Sequence, residues 1–333
     1  MKKTICFLLS GVLAASVLAG CGSSSSSSSS TSSDSSSEAK TITIAYQSSV
    51  GYAPLIVMKD LGLLEENYDG DVEVVWTEMN NGSQINEGLT AGSIDIGSMG
   101  VPVAITGVMA GSPYRIAAGL SAQPYSILSN QSDINSLSDI TSEDQIAITN
   151  INSQPHILLA MAAKAELGDA HALDNNLTVL GNADGYASMI SGAVTCHMVI
   201  SPYNFMEIES EDADIHEIEI GSDIWDPANT ALVTVATNDL YEKNNDLYQA
   251  YVTALDQAME YISSNPEEVA EMLAEGYDAS AEEILEWISD SRSSYSTELH
   301  GVMEMSDFMV EEGFIENGPE SISDIVYDGV KGE

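Results

Sequence analysis

Short apolar segments alternate with helical patterns between Thr41 and Gly119. Three of these segments are typical of strands, and each ends at small or polar residues that precede a helical pattern. The strand segments are residues 41–46, 72–76 and 94–98, and the turns that follow them are residues 47–52, 80–83 and 99–102. This order predicts βαβ units and a parallel sheet, whose ligand-facing edge lies where the strands end and the helices begin.

The region after Gly119 repeats this organisation and then becomes helical. The predicted strands are 125–129, 145–149 and 177–180, the predicted helices are 137–141 and 153–167, and a turn is predicted over 182–185. Residues 87–97 and 187–199 share a helix end, a glycine and a short strand, which predicts two related lobes; chance similarity between βα units is the alternative. From Asn238 onward the apolar residues recur at helical spacing.

Charge and composition narrow the classes of partner. The 333 residues include 52 acidic and 9 basic side chains, a net charge of −43, so nucleic acids and anionic membrane surfaces are poor partners on electrostatic grounds. Most of this charge is interpreted as a solvated surface, and steering of a cationic ligand is the alternative. The hydrophobic content of 44% is sufficient for a large core in one or two domains.

The N-terminal segment is typical of targeting sequence. Lys2 and Lys3 precede an apolar run that is too short to span a bilayer, and the sequence Leu18-Ala19-Gly20-Cys21 resembles the lipobox of bacterial lipoproteins. We therefore predict a signal peptide over residues 1–20, lipidation of Cys21 and a serine-rich tether over 21–40, with a reach of roughly 25 Å. Cys196 then remains as a lone thiol, expected to be buried.

Several pieces of sequence together resemble the solute-binding proteins of ABC importers, in particular the nitrate, sulfonate and taurine group that also includes binders of thiamine-pyrimidine precursors. These pieces are the lipobox, QSSVGYAP at 47–54, EGLTAGSIDIGSMG at 87–100, AMEYISSNPEEVAEML at 258–273 and SDFMVEEGFI at 306–315. The resemblance implies an α/β protein with a two-lobed periplasmic-binding-protein-like fold (type II), in which mixed, mostly parallel sheets are flanked by helices and a ligand cleft lies between the lobes.

The resemblance also implies a domain division and a cellular role. Lobe 1 is expected to comprise residues 41–120 plus 235–333 with the C-terminal helices, and lobe 2 residues 121–234. The protein is expected to be an extracytoplasmic monomer, anchored by lipid to the outer face of the cytoplasmic membrane. It would bind a small solute by lobe closure and pass it to an ABC permease with its ATPase subunit, without a cofactor or metal.

The candidate ligand contacts are the turn residues at the strand ends of both lobes. In the first lobe they are Ser48, Ser49, Gly51, Tyr52, Asn81, Ser83, Met99, Gly100 and Val101. In the second lobe they are Asn152, Ser153, His156, Asp184, Ser201 and Tyr203. Capping and turn formation are the competing roles for each of them.

The chemistry of the solute stays open at this point. Nitrate, an alkanesulfonate such as taurine, and a pyrimidine or other aromatic precursor are all compatible with the sequence. Helix N-termini would favour an anion, whereas the presence of only two arginines, Arg115 and Arg292, favours an uncharged or cationic solute. Aromatic residues near the predicted crevice favour an organic compound, and these are Tyr52, Tyr125, Tyr203 and Trp225.

An enzyme is the main alternative class, because one branch with a similar fold makes the thiamine pyrimidine with a cysteine-rich motif. No such cysteine run occurs here, and the sequence contains no G-x-S-x-G, H-E-x-x-H, C-x-x-C or GK[ST] motif. The histidines have no metal-ligand spacing. A ligand-sensing domain of a transcription regulator is a further alternative, but a lipobox stands where its DNA-binding helix-turn-helix would be. We therefore expect a binding protein and no catalysis.

Overall fold

The structure is a computed structural model that describes residues 39–220, 224–277 and 279–332. The predicted signal peptide, the lipidation of Cys21 and all but the end of the predicted tether lie outside the described residues. Lys40, the last residue of that tether, is the first residue of a strand and forms a 3.3 Å ion pair with Asp246. From Glu38 onward the chain forms one compact unit.

The first of two sheets has six strands in the order β11-β4-β10-β3-β1-β2. Their bounds are β1 Lys40–Tyr46, β2 Val72–Glu78, β3 Ile96–Gly100, β4 Tyr114–Ala122, β10 Leu232–Thr237 and β11 Ser294–Tyr295. Strand β1 pairs in parallel with β2 and β3, as the βαβ pattern predicts, whereas β10 runs antiparallel to both β3 and β4. The sheet is therefore mixed.

The second sheet has five strands in the order β7-β6-β8-β5-β9. Their bounds are β5 Tyr125–Ser129, β6 Ile146–Ile148, β7 Leu177–Val179, β8 Cys196–Ile200 and β9 His216–Glu217. Strand β6 is parallel to β7 and β8, and β5 is antiparallel to β8 and β9. The chain passes from the first sheet to the second between β4 and β5 and returns between β9 and β10.

Twelve α-helices flank the sheets in the described residues. The first six are α1 Ala53–Leu61, α2 Leu63–Asn67, α3 Gly82–Ala91, α4 Val101–Met109, α5 Gln154–Leu167 and α6 Asn182–Ile190. The others are α7 Tyr203–Ile208, α8 Asn238–Lys243, α9 Asn245–Ser264, α10 Pro266–Ala274, α11 Ala281–Ile288 and α12 Val302–Glu311. No helix among the described residues has the length and apolarity that a bilayer crossing requires.

The C-terminal helices are amphipathic and pack on the first sheet. The predicted stripe of α9 is confirmed, since Tyr251, Leu255 and Ile262 are buried in a cluster with α1, α10 and α11. A second apolar cluster contains residues of both sheets, among them Val233 of β10 and Ile127 of β5. The two sheets therefore share part of their hydrophobic core, and the lobe boundaries stay a prediction.

Three local predictions differ from the structure. The third strand lies two residues further along, so that Met99 and Gly100 are strand residues, and the helix begins directly at Val101 because Pro102 is well suited to its first turn. Residues 182–185, predicted as a turn, begin helix α6. The helix predicted at 137–141 is a single 3₁₀ turn at Leu137–Asp139. A capping box formed by Ser136 and Asp139 stabilises its N-terminus.

Candidate functional site

A small cavity of about 20 Å³ lies between the strand ends of the two sheets. Residues from both sheets line it, including Gln47 after β1, Leu232 of β10, Tyr125 of β5 and Ile200 of β8. A cavity of this volume holds about one water molecule. The walls of the cavity therefore lie close together, and a larger molecule requires them to move apart.

Four helices begin at the wall of this cavity. Gly82 and Gly100 contribute the starts of α3 and α4, while Gln154 and Asn182 contribute the starts of α5 and α6. Local sequence produces three of these starts: Asn81 and Ser153 cap α3 and α5 with their side-chain oxygens, and proline stands in the first turn of α4 and α5. Each helix start favours negative charge by about 0.3 to 1 kcal/mol.

Among the described residues, no charged side chain lines the cavity. The polar groups that face it are amides and hydroxyls, so an anionic group there would be balanced by the helix N-termini alone. Tyr52 and Tyr125 border the same space, and burial raises the pKa of both phenols, which keeps them neutral. The Tyr52 hydroxyl accepts a 2.6 Å hydrogen bond from the Gln47 amide.

Two buried amide side chains at the cavity wall have polar atoms without a hydrogen-bond partner. Gln154 is 1% exposed, and both its Oε1 and its Nε2 are unpaired. Asn150 is 6% exposed, its Nδ2 donates to the carbonyl of Ile151 at 2.8 Å, and its Oδ1 is unpaired. Buried polar atoms of this kind are uncommon in proteins, and a bound water molecule or a bound solute can supply their partners.

Gly100 makes room for one of these amides. A Cβ atom at this position would lie 3.1 Å from the Cβ of Gln154, closer than ordinary side-chain contacts. The glycine lets the start of α5 approach the end of β3, so that residues far apart in the chain form one wall. A side chain at position 100 would push that wall outward.

Three hydrogen bonds join the loop after β1 to segments that follow strands of the second sheet. The hydroxyls of Ser48 and Tyr203 lie 2.7 Å apart, and Ser49 Oγ donates to the Ser201 carbonyl at 2.7 Å. Asn182 Nδ2 donates to the Ser48 carbonyl at 3.0 Å. These bonds hold the two sides of the cavity together in the observed arrangement.

A larger groove of about 260 Å³ adjoins the cavity and shares Gln47 and Tyr52 with it. The groove has carboxylates at its rim, and its charged residues are Lys59, Asp60, Glu78 and Glu275. Burial raises the pKa of Asp60, and Glu275 adds to this shift, whereas Lys59 opposes it. The groove is larger and lined by charged, mostly acidic side chains, in contrast to the small and uncharged cavity.

Comparison with known proteins identifies the family. Residues 35–275 match the NMT1-like family. The chain belongs to the NMT1-like family.

Individual relatives of this NMT1-like chain are more distant. An Escherichia coli (strain K12) protein named for the binding of aliphatic sulfonates is 25% identical over 277 residues, covering 82% of this chain and 79% of that protein. The alkanesulfonate-binding protein of Xanthomonas axonopodis pv. citri, solved with bound MOPS, superposes with a TM-score of 0.71 at 18% identity, over 87% of this chain and 99% of that one. The nitrate-binding protein of Synechocystis PCC 6803 superposes with a TM-score of 0.70 at 17% identity, over 88% of this chain and 87% of that one. These structures share the periplasmic-binding-protein fold, as predicted.

The sequence-predicted contacts of this NMT1-like chain fall into three groups. Tyr52, Gly100 and Ser153 line the small cavity. Ser48 and Ser49 line the adjoining groove, and Asp184 lines a second groove of about 90 Å³ beside Ser48 and Glu78. Ser201 and Tyr203 join the two sides through their bonds to Ser49 and Ser48. The remaining candidates do not line the cavity: Gly51, Asn81, Ser83, Met99, Val101, Asn152 and His156. Asn81 is the N-cap of α3, and Met99 is buried in the core.

His156 and Asn152 hold a different part of the NMT1-like fold. The His156 ring accepts a 2.9 Å hydrogen bond from the Asn152 backbone N–H and packs edge-on against Phe314. Asn152 Nδ2 donates to the Phe314 carbonyl at 3.3 Å. Both residues therefore hold the segment after α12 in place, and neither of them lines the cavity. In the described residues no group of histidine, cysteine and acidic side chains could hold a metal ion.

Sequence reasoning missed several cavity residues, namely Gln47, Thr149, Asn150, Gln154 and Asn182. Signals were present for some of them. Asn150 ends a predicted strand, Asn182 opens a predicted turn, and Gln154 follows the capping residue Ser153. The choice between a capping residue and its neighbour depends on side-chain direction, which the sequence pattern does not give.

Proposed function

We propose that the protein is the solute-binding component of an ABC importer. The observation that carries the proposal is the small cavity where four helix starts and the unpaired amide atoms of Asn150 and Gln154 meet between the two sheets. Convergent polar groups in an otherwise apolar cleft are typical of small-molecule sites. Membership of the NMT1-like family and similarity to proteins named for sulfonate and nitrate binding support the same function.

Binding is proposed to involve closure of two lobes, residues 41–120 plus 235–333 and residues 121–234. The cavity of about 20 Å³ is too small for an alkanesulfonate or a pyrimidine, so the solute enters an opened form and the closed form widens around it. The solute shifts an open-to-closed equilibrium to the extent that it contacts both sides. The hydrogen bonds of Ser48 and Ser49 to the opposite side contribute to the closed form.

The protein is further proposed to be a lipoprotein on the outer face of the cytoplasmic membrane, attached through Cys21 and presented to a permease and its ATPase subunit. The lipobox at residues 18–21 and the serine-rich segment after it support this placement. Fractionation of cells tests it: the natural protein should sediment with membranes, and Cys21→Ser should not, with Cys196→Ser as the control. Equal distribution of all three proteins would contradict the anchor.

The binding function is tested by thermal unfolding of the purified protein with nitrate, taurine, ethanesulfonate, pyrimidine and 4-aminopyrimidine. A solute that binds only the folded state raises the Tm, by an amount equivalent to about 2.7 kcal/mol at a concentration of one hundred times its Kd. The bound compound should be recovered unchanged after denaturation. Absence of any shift across this set would contradict the proposal, and conversion of the compound would favour an enzyme.

A further inference from the structure

The unpaired atoms at the cavity wall include acceptors as well as a donor. Asn150 Oδ1 has no partner, and its orientation is fixed because the amide nitrogen of the same side chain donates to the Ile151 carbonyl. Gln154 adds an unpaired carbonyl oxygen and an unpaired NH₂ group. Rotation of the Gln154 amide by 180° exchanges its two atoms but always leaves one oxygen at this wall.

These carbonyl oxygens set a requirement on whatever fills the cavity. Asn150 and Gln154 are 6% and 1% exposed, so bulk water does not satisfy them. Nitrate and simple sulfonates carry oxygen acceptors only. An acceptor placed against Asn150 Oδ1 leaves both oxygens unpaired, and a site built to bind a donor group strongly disfavours an analogue that lacks one.

The helix N-termini at the cavity add a second requirement, which is an acceptor or an anionic group on the solute. Residues that begin α3, α4, α5 and α6 line the same space, and helix N-termini favour an acceptor or an anionic group. Among the described residues, the lining contains no lysine or arginine that would balance a full negative charge. The site therefore combines helix N-termini with acceptors from two buried side chains.

We propose that the solute carries an N–H or O–H donor in addition to an acceptor or anionic group, and that this donor binds the side-chain carbonyl oxygens of Asn150 and Gln154. The inference rests on the proposed solute-binding function and narrows the class of solute. Amino-sulfonates and amino-substituted heterocycles meet the requirement. Nitrate, unsubstituted alkanesulfonates and unsubstituted pyrimidine do not.

Isothermal titration of the purified protein with two matched pairs tests the inference. Taurine differs from ethanesulfonate, and 4-aminopyrimidine from pyrimidine, by the nitrogen donor. In at least one pair the Kd of the donor-bearing member should be lower by about tenfold or more. If the members of each pair bind equally, or if those without the donor bind more tightly, the inference is overturned while the importer function stands. If none of the four compounds binds but nitrate does, the inference is overturned while the importer function stands, and if nitrate does not bind either, both fail.

The variant Gln154→Met assigns the effect to the side chain, because methionine keeps the length and removes the amide. Gln123→Met is the matched control, since Gln123 is also a buried glutamine with an unpaired amide nitrogen but does not line the cavity. Gln154→Met should reduce the ratio of the two Kd values within the pair, and Gln123→Met should preserve it. An unchanged ratio of the two Kd values in a folded Gln154→Met protein would overturn the assignment to Gln154. The comparison of the two compound pairs uses the natural protein, so its result does not depend on either variant.

Discussion

Gly107 illustrates how a single missing side chain shapes this protein. It lies in α4, directly against the ring of Tyr114 at the start of β4, and a Cβ atom at this position would overlap the tyrosine hydroxyl. Tyr114 is 1% exposed, and its hydroxyl donates to Asn86 Oδ1 at 2.9 Å, so the ring has little freedom to retreat. Burial raises the pKa of this tyrosine well above its ordinary value.

Gly107→Ala is expected to lower the free energy of unfolding by about 1 to 3 kcal/mol, because the added methyl overpacks a filled site. The double variant with Tyr114→Phe removes the overlapping hydroxyl, so it should lose less stability than the sum of the two single variants. Urea unfolding followed by circular dichroism measures all four proteins. Gly276→Ala, where the added Cβ meets only ordinary contacts, is the control. Additive losses would show that the hydroxyl is not the obstacle.

At the scale of elements, a cluster of side chains ties helix α5 and the loop after it to the segment following α12. His171 lies between two acceptors: its Nδ1 is 2.8 Å from Asp174 and its Nε2 is 2.8 Å from the Glu312 carbonyl. Its ring also packs on Phe314, with 4.6 Å between ring centroids. Because the protonated ring donates to both acceptors, the Glu312 carbonyl first and Asp174 second raise the pKa of His171.

This arrangement predicts a pH dependence. Since the folded-state pKa of His171 is raised above its ordinary value of about 6.5, the stabilisation is fully present below pH 6.5 and disappears as the pH rises through the folded-state pKa. His171→Gln should therefore destabilise the protein at pH 6 more than at pH 9. The ring is 41% exposed, so the difference should stay below about 1 kcal/mol.

Urea unfolding at the two pH values measures this difference. Asp169 and His156 also interact electrostatically with His171. Both residues are present in the natural protein and in the His171→Gln variant, so their own contributions to the pH dependence of stability largely cancel. Burial lowers the pKa of His156 below its ordinary value, and Asp174 opposes this shift. His300→Gln, at an exposed histidine, is the control. A loss of stability that is equal at pH 6 and pH 9 would contradict the proposed role of the charge.

At the scale of the whole described fold, the two sides of the cavity are held by few polar contacts. The hydrogen bond between Ser48 and Tyr203 is one of them, and Tyr203 also packs against Tyr277 with 6.3 Å between ring centroids. If these contacts exist only in the closed form, each contributes to the equilibrium between open and closed forms. The net contribution of one such bond is about 1 kcal/mol.

Tyr203→Phe is expected to raise the Kd of the best-binding compound about fivefold, because it removes the bond to Ser48 and favours the open form. Titration calorimetry measures the Kd, and small-angle scattering follows the compaction on binding. Tyr327→Phe is the control, since the Tyr327 hydroxyl donates to the Ala236 carbonyl at 3.0 Å, beside the first sheet. Equal weakening by both variants would indicate a general loss of stability instead of a shift toward the open form.

The sequence by itself determined the order of strands and helices and several helix starts, including those capped by Asn81 and Ser153. These features are local: a cap and the N–H group it binds are two or three residues apart, and an apolar stripe repeats within one helix. The family resemblance was also readable from the order of these pieces. Each of these predictions depends on residues that are close in the chain.

Only the tertiary structure decided which residues face the cavity and how its two sides meet. The antiparallel insertion of β10 between β3 and β4 brings Leu232 to the wall, and the close approach at Gly100 brings Gln154 opposite. Sequence spacing does not encode these contacts, because they depend on sheet register and on side-chain direction across segments more than 50 residues apart. For the same physical reason, the sequence does not show that amide atoms of Asn150 and Gln154 lack hydrogen-bond partners, because this depends on which distant segments bury them.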